Sequence, residues 1–509
     1  MKKVSVDNRG RPLHDVPHKM ASTTILSKSS SDLNLKGFFN LFILILVFTN
    51  MGVVLENAMK YGCMVSFPKG FTDLVQNWPI LWCLCQLVLL LFISFITEKY
   101  LLSLSLLLFN VPMDNVNSEN VNYSKRLSGT WLKKSILKLS ALFGLIIMII
   151  NMSMILYIPY KTIKFYSPDP LSSVILLCFS FVWFFKTFSF HHVCQDVRKC
   201  IYNKDDFGDV CGTSPEAEIA RKYPDSLSLR HHYWFILAPT MCYQFWYPRT
   251  GGIRWLQVLK HFISLVTCII LIKIIVEQYV MVTAHYTFTL SEIQRMNIFQ
   301  FFGHMTTRIM KLSIPSLYVW LLGFVALFHH YLNILGEITC FADRAFYLDW
   351  WNAGNFGEYW RKWNLPVHFF LTRHIFKPLR KKGFSGSFAG LLVFTFSALI
   401  HEYLVVVPLN IGWTGWVVLA FVLQVPLSSW TQSSYIQKRE TVGNVLFWIT
   451  FCFCGQPIAV LLYYYLWALS KGQIDQIELN KIEGIPQIPL ENISGYIANL
   501  TNVTHNIYQ

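Results

Sequence analysis

The sequence predicts an all-α, polytopic membrane protein with about nine transmembrane helices. Of its 509 residues, 54% are hydrophobic and only 14% are charged, whereas soluble domains carry about 25% charged residues. The mean hydropathy is +0.41, and apolar runs of about 20 residues, the length that crosses the hydrocarbon core, recur along the chain. One large membrane domain therefore explains the length better than about three soluble domains.

The predicted spans follow one another through most of the chain. They occupy roughly residues 38–55, 78–97, 136–158, 171–190, 258–283, 312–336, 387–408, 413–430 and 442–468. Residues 1–37 form a polar arm that we expect to be disordered. Because the first apolar run begins behind this arm, it does not have the pattern of a cleavable signal peptide. The membrane domain is predicted to cover residues 38–468, with a polar tail at 469–509.

Lysine and arginine concentrate in alternate loops. The arm before Phe38 and the loops after the second, fourth and sixth spans are rich in them, and the loop between the seventh and eighth spans has none. The positive-inside rule then places the N-terminus in the cytosol and, with nine spans, the C-terminus in the lumen. Glycosylation triplets at Asn492, Asn499 and Asn502 lie in that tail, although such triplets are also common by chance. The net charge of +15 is attributed to topology and anionic headgroups, with no nucleic-acid partner.

The twelve cysteines suggest no metal site and no disulfide framework. Those within predicted spans are favoured as small packing residues. No paired C-x-x-C spacing occurs around Cys194, Cys200 and Cys211. We therefore predict no metal, and we find no internal repeat of the kind that marks many transporters.

Two ionisable residues, His401 and Glu402, interrupt the seventh predicted span. Such residues are rare inside a membrane and mark functional sites, although an interhelical hydrogen bond or a proton pathway would also explain a single histidine. The pair does not form the H-E-x-x-H zinc motif, because Val405 stands where the second histidine must be. We favour a functional role for the pair.

Residues 346–382 are too polar to cross a membrane and too aromatic for a free loop. Apolar residues, mostly tryptophans, recur at intervals of three or four, and cations fall largely on other faces. This pattern predicts amphipathic helices at the cytosolic membrane interface, with the tryptophans in the acyl boundary. Lipid anchoring explains the tryptophans, but it does not explain the polar residues Asp349, Asn352, Asn364 and His368 among them.

A basic rim beside a buried histidine suits a substrate with an anionic head and an apolar tail, and acyl-CoA has that shape. Its phosphates would bind among Arg373, Lys377, Arg380, Lys381 and Lys382. A thiol with a pKa of about 8.5 leaves readily, so no covalent enzyme nucleophile is required. A histidine that accepts the proton of an acceptor hydroxyl suffices, and the lack of a G-x-S-x-G elbow agrees.

A resemblance to a known family begins at the aromatic segment. The residues Phe346, Tyr347, Asp349, Trp350, Trp351 and Asn352 match the FYxDWWN signature of the acyl-CoA:cholesterol and diacylglycerol branch of the membrane-bound O-acyltransferases. Five segments, in order, resemble the type-one diacylglycerol O-acyltransferases: TNMGVVLENAMKYG (49–62), YPDSLSLRHHYWFILAPTMCY (223–243), WNLPVHFFLTRHIFKP (363–378), HEYLVVVPL (401–409) and GQPIAVLLYYY (455–465). The resemblance covers about residues 35–468.

The resemblance implies roles for individual residues. His401 matches the family's catalytic base, with Glu402 as a supporting polar residue, and Asn364 matches the asparagine that positions or polarises the thioester. Gln424 and Gln456 match polar residues that line a central cavity, although glutamines in spans often only join helices. The predicted substrate-binding residues are Trp360, Trp363, His368, Arg373, Lys377, Gln424 and Gln456.

The expected activity is the transfer of an acyl group from acyl-CoA to 1,2-diacylglycerol, forming triacylglycerol in a chamber that excludes water. We expect no metal and no bound cofactor. The resemblance further implies the endoplasmic reticulum membrane, supply of lipid droplets, and a dimer or tetramer. A sterol, retinol or long-chain alcohol acceptor is the first alternative, and YPDSLSLRHHYWF favours diacylglycerol over it. A lipid transporter or inactive scaffold is the second, against which stand His401 and the lack of repeats.

Overall fold

The structure, a computed structural model, describes residues 51–62 except 53, residue 65, and residues 77–103, 123–203, 214–285, 296–433, 436 and 440–470. The chain divides into two compact units, Met1–Met64 and Val65–Gln509. In the first unit, the described residues from 51 to 61 are helical. The second unit holds the remaining helices. The predicted arm, and the predicted tail after Ser470, lie outside the described residues.

The described part of the second unit is helical, and its only β-type pairing is an isolated bridge between Arg249 and Phe341. The α-helices are α1 (Trp78–Ile96), α2 (Tyr123–Tyr166), α3 (Pro170–Asn203), α4 (Ser214–Arg221), α5 (Leu229–Leu237), α6 (Trp255–Ile275), α7 (Val282–His285), α8 (Ile298–Phe324), α9 (Leu332–Ile338), α10 (Phe356–Lys362), α11 (Leu365–Leu371), α12 (Lys377–Lys381), α13 (Gly386–Val406), α14 (Trp416–Thr431), α15 (Glu440–Ile449) and α16 (Gln456–Ser470). π-Helical segments at Thr97–Leu102, Val276–Met281, Val325–Tyr331, Thr372–Phe376 and Thr450–Gly455 extend or join them, and Trp350–Asn352 forms a 3₁₀ turn. The all-α prediction is confirmed for these residues.

Seven of the described helical stretches are long and apolar enough to cross a membrane. They are Trp78–Leu102, Leu142–Tyr166, Pro170–Ile201, Trp255–Ala284, Ile298–Ile338, Gly386–Val406 and Thr441–Ser470, and each corresponds to one predicted span. The predicted span 413–430 is the shorter apolar helix α14, and most of the predicted span 38–55 lies outside the described residues. The protein is therefore a multi-pass membrane protein, and the total of nine spans stays a prediction.

Helix α13 is fixed in place by its start and by one packed face. The Ser385 side chain caps the helix by accepting a hydrogen bond from the Phe388 amide at 3.2 Å, which satisfies a backbone donor that the first turn leaves unpaired. One face of α13 packs on α3 and α11 in an aromatic and aliphatic cluster: Phe181, Phe185, Phe370, Phe396, Ile400 and Tyr403. His401 is thereby turned toward α14, where its ring contacts Phe421.

Helix α14 begins at a sharp turn against α13. Gly415, the residue before its first turn, has a φ of 75°, a left-handed conformation that a residue with a Cβ adopts only at a cost. The turn lets the chain reverse within the short connection that follows α13. As a result, the middle of α14 lies beside the histidine face of α13.

Candidate active site

His401 is half-buried on α13, and one of its ring nitrogens is already engaged. Nδ1 lies 2.7 Å from the carbonyl oxygen of Ser397, one helical turn earlier. A carbonyl can only accept, so Nδ1 carries the proton and Nε2 keeps its lone pair. Within the described part of the chain, Nε2 has no hydrogen-bond partner. It is the atom at which His401 can accept a proton from a substrate hydroxyl.

Phe421 on α14 joins the histidine to the amphipathic segment. Its ring centre lies 4.8 Å from that of His401 and 5.5 Å from that of Trp360 on α10. Phe394, two turns before His401, contacts both Trp360 and Phe421 at 5.7 and 5.3 Å. Gln424 follows Phe421 by one turn on the same face of α14 and is half-buried. The structure thus brings His401 and Trp360 to one aromatic platform, and Gln424 lies one turn further along α14.

Two side chains of residues 346–382, Trp360 and Asn364, offer hydrogen-bond donors to a ligand. The indole Nε1 of Trp360 is buried and has no partner among the described residues, an unusual state for a buried polar group. Asn364 caps α11, and its Oδ1 accepts from the Val367 amide at 3.2 Å. This bond fixes the orientation of the Asn364 amide, and its Nδ2 has no partner in the part of the chain that the structure describes. Both donors suit a carbonyl oxygen.

Glu402 follows His401 in sequence but is occupied elsewhere. It is fully buried, and its carboxylate accepts hydrogen bonds from the backbone amides of Gly415 and Val417, each at 2.8 Å, and from Thr414 Oγ1 at 2.6 Å. The Tyr463 hydroxyl on α16 adds a bond at 3.3 Å. A carboxylate at a helix N-terminus satisfies unpaired amides and the helix dipole. Glu402 therefore anchors the start of α14, and its catalytic role stays a prediction.

Gln456 and Trp363 meet through Trp320 on α8. With its amide nitrogen toward the Ser316 carbonyl, Gln456 donates there at 3.2 Å and accepts from Trp320 Nε1 at 3.0 Å. The Trp320 and Trp363 rings are 6.0 Å apart and nearly parallel. Gln456 thus joins α16 to α8. The structure places Trp363 next to Trp360, with ring centres 6.4 Å apart, so this second group borders the first.

The FYxDWWN residues are largely built into the protein. Phe346 and Trp350 are each 2% exposed, which corrects the prediction that the tryptophans of this segment share the acyl boundary. Trp350 is buried because its ring packs edge-on against Trp320 and Phe324 of α8, at 5.1 and 5.0 Å. Trp351, at 45% exposed, does keep an outward face.

The polar members of the motif also bond within the protein. Asp349 pairs with Lys362 at 2.9 Å, and this bond holds the pKa of the Asp349 carboxyl below its usual range. The backbone N–H of Asn352 donates to the backbone carbonyl of Asp349 at 3.0 Å. Tyr347 places its hydroxyl 2.9 Å from His329 Nδ1. The motif therefore fixes the segment 346–352 against the spans and does not supply the proton acceptor.

The basic rim divides into the half-buried Arg373 and a more exposed group, in which Arg380 also donates to the Phe384 carbonyl at 2.7 Å. Arg373 is half-buried and donates to the Tyr243 carbonyl at 3.3 Å. Lys377, Arg380, Lys381 and Lys382 are exposed around α12. His368, which precedes them, has its pKa lowered by burial and by the nearby Arg361, so it is neutral at pH 7. The rim can receive an anionic group at the four exposed side chains.

The sequence analysis did not single out Ser397, Phe394 or Phe421. Ser397 could have been found, because a residue four positions before His401 in a helix lies over the same face. Phe394 and Phe421 could not, since phenylalanines are common in spans and only the packing of α13 on α14 selects these two.

The sequence matches one protein family and several characterised enzymes. Residues 69–465 match the membrane-bound O-acyltransferase family. The chain is 33% identical over 444 residues to diacylglycerol O-acyltransferase 1 of Arabidopsis thaliana, covering 86% of this chain and 74% of that protein. It is 34% identical over 446 residues to diacylglycerol O-acyltransferase 1 of Corylus americana, covering 86% and 73%. Diacylglycerol O-acyltransferase 1 of Dictyostelium discoideum is 31% identical over 451 residues, covering 88% and 65%.

Proposed function

Since the chain belongs to the membrane-bound O-acyltransferase family and is an acyltransferase, we propose that it transfers the acyl group of acyl-CoA to 1,2-diacylglycerol and forms triacylglycerol. The observation that carries the proposal is the arrangement around Phe421: on one side a histidine nitrogen with a lone pair, and on the other the indole donor of Trp360, which has no partner among the described residues. The enzymes to which the chain is similar are named for this acceptor. Membership of an acyltransferase family sets aside the transporter and scaffold alternatives.

In the proposed reaction, His401 Nε2 accepts the proton of the free diacylglycerol hydroxyl as its oxygen attacks the thioester carbonyl carbon. The C–S bond then breaks, and the departing sulfur takes the proton from His401 Nε2 to give CoA, while the new ester is triacylglycerol. Nδ1 keeps its proton throughout and donates it in a hydrogen bond to the Ser397 carbonyl. This bond holds the ring in the tautomer that the first step needs. No acyl-enzyme intermediate forms.

The negative charge that develops on the thioester oxygen needs donors. Asn364 Nδ2 and Trp360 Nε1 would provide them, because both are left without partners in the described part of the chain. Preorganised donors at a developing oxyanion stabilise the transition state strongly in a site that excludes water. The orphan indole also gives a physical reason for a bound carbonyl, since a buried donor without a partner destabilises the protein by about 1–3 kcal/mol until a ligand fills it.

The two substrates would approach from different directions. The exposed cations around α12 would hold the phosphates of CoA at the membrane surface, and the uncharged diacylglycerol would enter laterally from the bilayer. We further propose the endoplasmic reticulum membrane as the location, a cytosolic N-terminus and a lumenal C-terminus, and a homo-oligomer.

A product scan tests the activity. Purified protein receives labelled acyl-CoA together with diacylglycerol, monoacylglycerol, cholesterol, retinol or a fatty alcohol, each in turn. We expect labelled triacylglycerol to dominate, with kcat/KM highest for diacylglycerol. A preference for cholesterol, retinol or the alcohol would overturn the acceptor while keeping the chemistry. Hydrolysis of acyl-CoA without any acylated acceptor would overturn the proposed reaction.

A further inference from the structure

Three histidines from two successive spans meet at one point outside the proposed active site. His261 lies in the second turn of α6, and His329 and His330 lie near the end of the π-helical segment Val325–Tyr331. One ring nitrogen from each residue lies within 4.8 Å of one from each of the others. The three ring centres are separated by 5.0 to 5.6 Å. All three side chains are half-buried, so the protein does not fully enclose the point.

These separations are those of imidazoles around a metal ion. A tetrahedral zinc ion with Zn–N bonds of about 2.0–2.1 Å holds its ligand nitrogens about 3.3 Å apart and the centres of its imidazole rings about 5 Å apart. His261 Nδ1 and His330 Nδ1 lie 3.1 Å apart. Two neutral imidazoles can share one proton at this distance, but a third ring at the same point is not needed for that bond. A tripod of three rings is what a metal requires.

The orientation of His329 also fits a ligand. Its Nδ1 lies 2.9 Å from the Tyr347 hydroxyl, so one ring nitrogen is engaged and Nε2 is left to coordinate. Metal-binding histidines commonly fix their tautomer through such a bond from the second nitrogen to a neighbouring polar group. Tyr347 therefore acts as an outer partner and links the three histidines to the FYxDWWN segment.

We propose that His261, His329 and His330 bind one zinc ion, with a water molecule in the fourth position. Imidazole ligands favour zinc and similar transition metals, whereas Mg²⁺ and Ca²⁺ prefer oxygen, and no carboxylate belongs to the trio. Glu337 lies in α9, which follows the segment of His329 and His330. Its carboxylate is already paired with Arg254 and Arg344. The zinc ion is therefore held by neutral imidazole ligands alone, without a carboxylate ligand from the trio.

The ion would cross-link the start of α6 to the later part of the next span. Through Tyr347, it would also be connected to the segment 346–352, which precedes α10. This role is structural and does not depend on the proposed acyl transfer. It was invisible in the sequence, where His261 and His330 are 69 positions apart and belong to no spaced motif.

Metal binding can be measured directly on protein purified without a histidine tag and treated with a chelator. We expect one zinc ion per chain in a competition titration with a chromophoric chelator, and visible absorption bands of a tetrahedral site when Co²⁺ replaces zinc. Zinc should also raise the Tm, because a ligand that binds only the folded state stabilises it. H261A and H330A should each lose more affinity than the roughly 10–100-fold that removing an outer partner costs, and Y347F should fall in that range.

H304A, which removes a histidine of α8 outside the trio, is the matched control and should bind zinc like the unmodified protein. Equal loss of zinc in H304A and H261A would overturn the site, since it would indicate scattered surface binding. Failure of the unmodified protein to bind zinc, or to give cobalt bands, would reduce the trio to a hydrogen bond between two imidazoles. That measurement decides the question even where a variant fails to fold.

Discussion

At His401, the direction of one hydrogen bond decides which proton transfers are possible. His401 Nδ1 donates a hydrogen bond to the Ser397 carbonyl oxygen, which lies 2.7 Å away. The lone pair of Nε2 is then the only basic position left on the ring. The same geometry in the opposite tautomer would present a donor to the substrate hydroxyl and could not remove its proton. The local helix therefore selects the chemistry of this residue.

His401→Ala should abolish acyl transfer while leaving the protein folded. Loss of a positioned general base costs about 10²-fold or more in kcat, and the cost is larger if no other base replaces it. The measurement is triacylglycerol formation by the purified variant, with the Tm and gel-filtration profile as controls for folding. Near-normal turnover in a folded variant would remove His401 from the mechanism.

Trp360→Phe tests the free indole donor. The variant keeps an aromatic ring against Phe421 but loses Nε1, so kcat should fall by about 10²-fold, the typical cost of one oxyanion donor. The matched control is Trp350→Phe, because Trp350 Nε1 is also buried without a partner among the described residues, but the Trp350 ring packs on Trp320 of α8. That control should lower the Tm more than kcat. Equal losses of kcat in both variants would assign Trp360 to packing alone.

At the scale of elements, α13 and α14 form one unit because a side chain of the first caps the second. Glu402 accepts from the amides that open α14, and hydrogen bonds to a charged group contribute about 1.5–3 kcal/mol each. These hydrogen bonds to Glu402 fix where α14 begins relative to α13. They thereby fix the position of Phe421 beside His401. The residue next to the proposed base thus contributes through the neighbouring helix.

Glu402→Ala should therefore lower the Tm and kcat together, since the buried amides of α14 lose their acceptor and Phe421 shifts. Glu402→Gln keeps one acceptor oxygen and should recover part of both. The measurements are thermal unfolding in detergent and the split of kcat against KM. A variant with an unchanged Tm and a greatly reduced kcat would contradict the anchoring role and support a direct catalytic one.

At the scale of the whole molecule, charge and topology separate the two substrates. If the exposed cations around α12 hold CoA, neutralising Lys377, Arg380, Lys381 and Lys382 together should raise the KM for acyl-CoA. The KM for diacylglycerol should change little, because it is uncharged, and lost ground-state binding appears in KM more than in kcat. Added salt should mimic the change in the unmodified protein, because the Debye length is only about 8 Å at physiological ionic strength.

Lys161 and Lys164, at the far end of α2, provide a control pair for this experiment. Their neutralisation should leave both KM values unchanged. If the variant with all four substitutions instead raises both KM values together, the cations of the rim bind the lipid headgroups and not CoA.

Topology makes a separate prediction. A tag placed before Lys36 should be accessible from the cytosol, and a tag placed after Tyr508 should be accessible only from the lumen, as an odd number of spans requires. Protease protection of sealed microsomes provides the measurement. Both tags on one side would mean an even number of spans.

The sequence by itself determined the membrane class, the position of most spans and the family, and it singled out His401, whose catalytic role stays a prediction. Hydropathy is a local property of about 20 consecutive residues, so each described span could be located without any knowledge of its neighbours. The FYxDWWN segment and the His401 segment are likewise continuous in sequence, and a resemblance can be recognised there.

The tertiary structure alone decided what those residues contact. Three findings depend on how separate helices pack: Glu402 anchors α14, Trp350 is buried on α8, and Trp360 keeps a donor that has no partner among the described residues. The same holds for the three histidines, which lie on different spans. Side-chain contacts between distant segments leave no periodicity in the sequence, because any apolar residue satisfies the membrane, whereas a hydrogen bond requires two particular atoms at one distance.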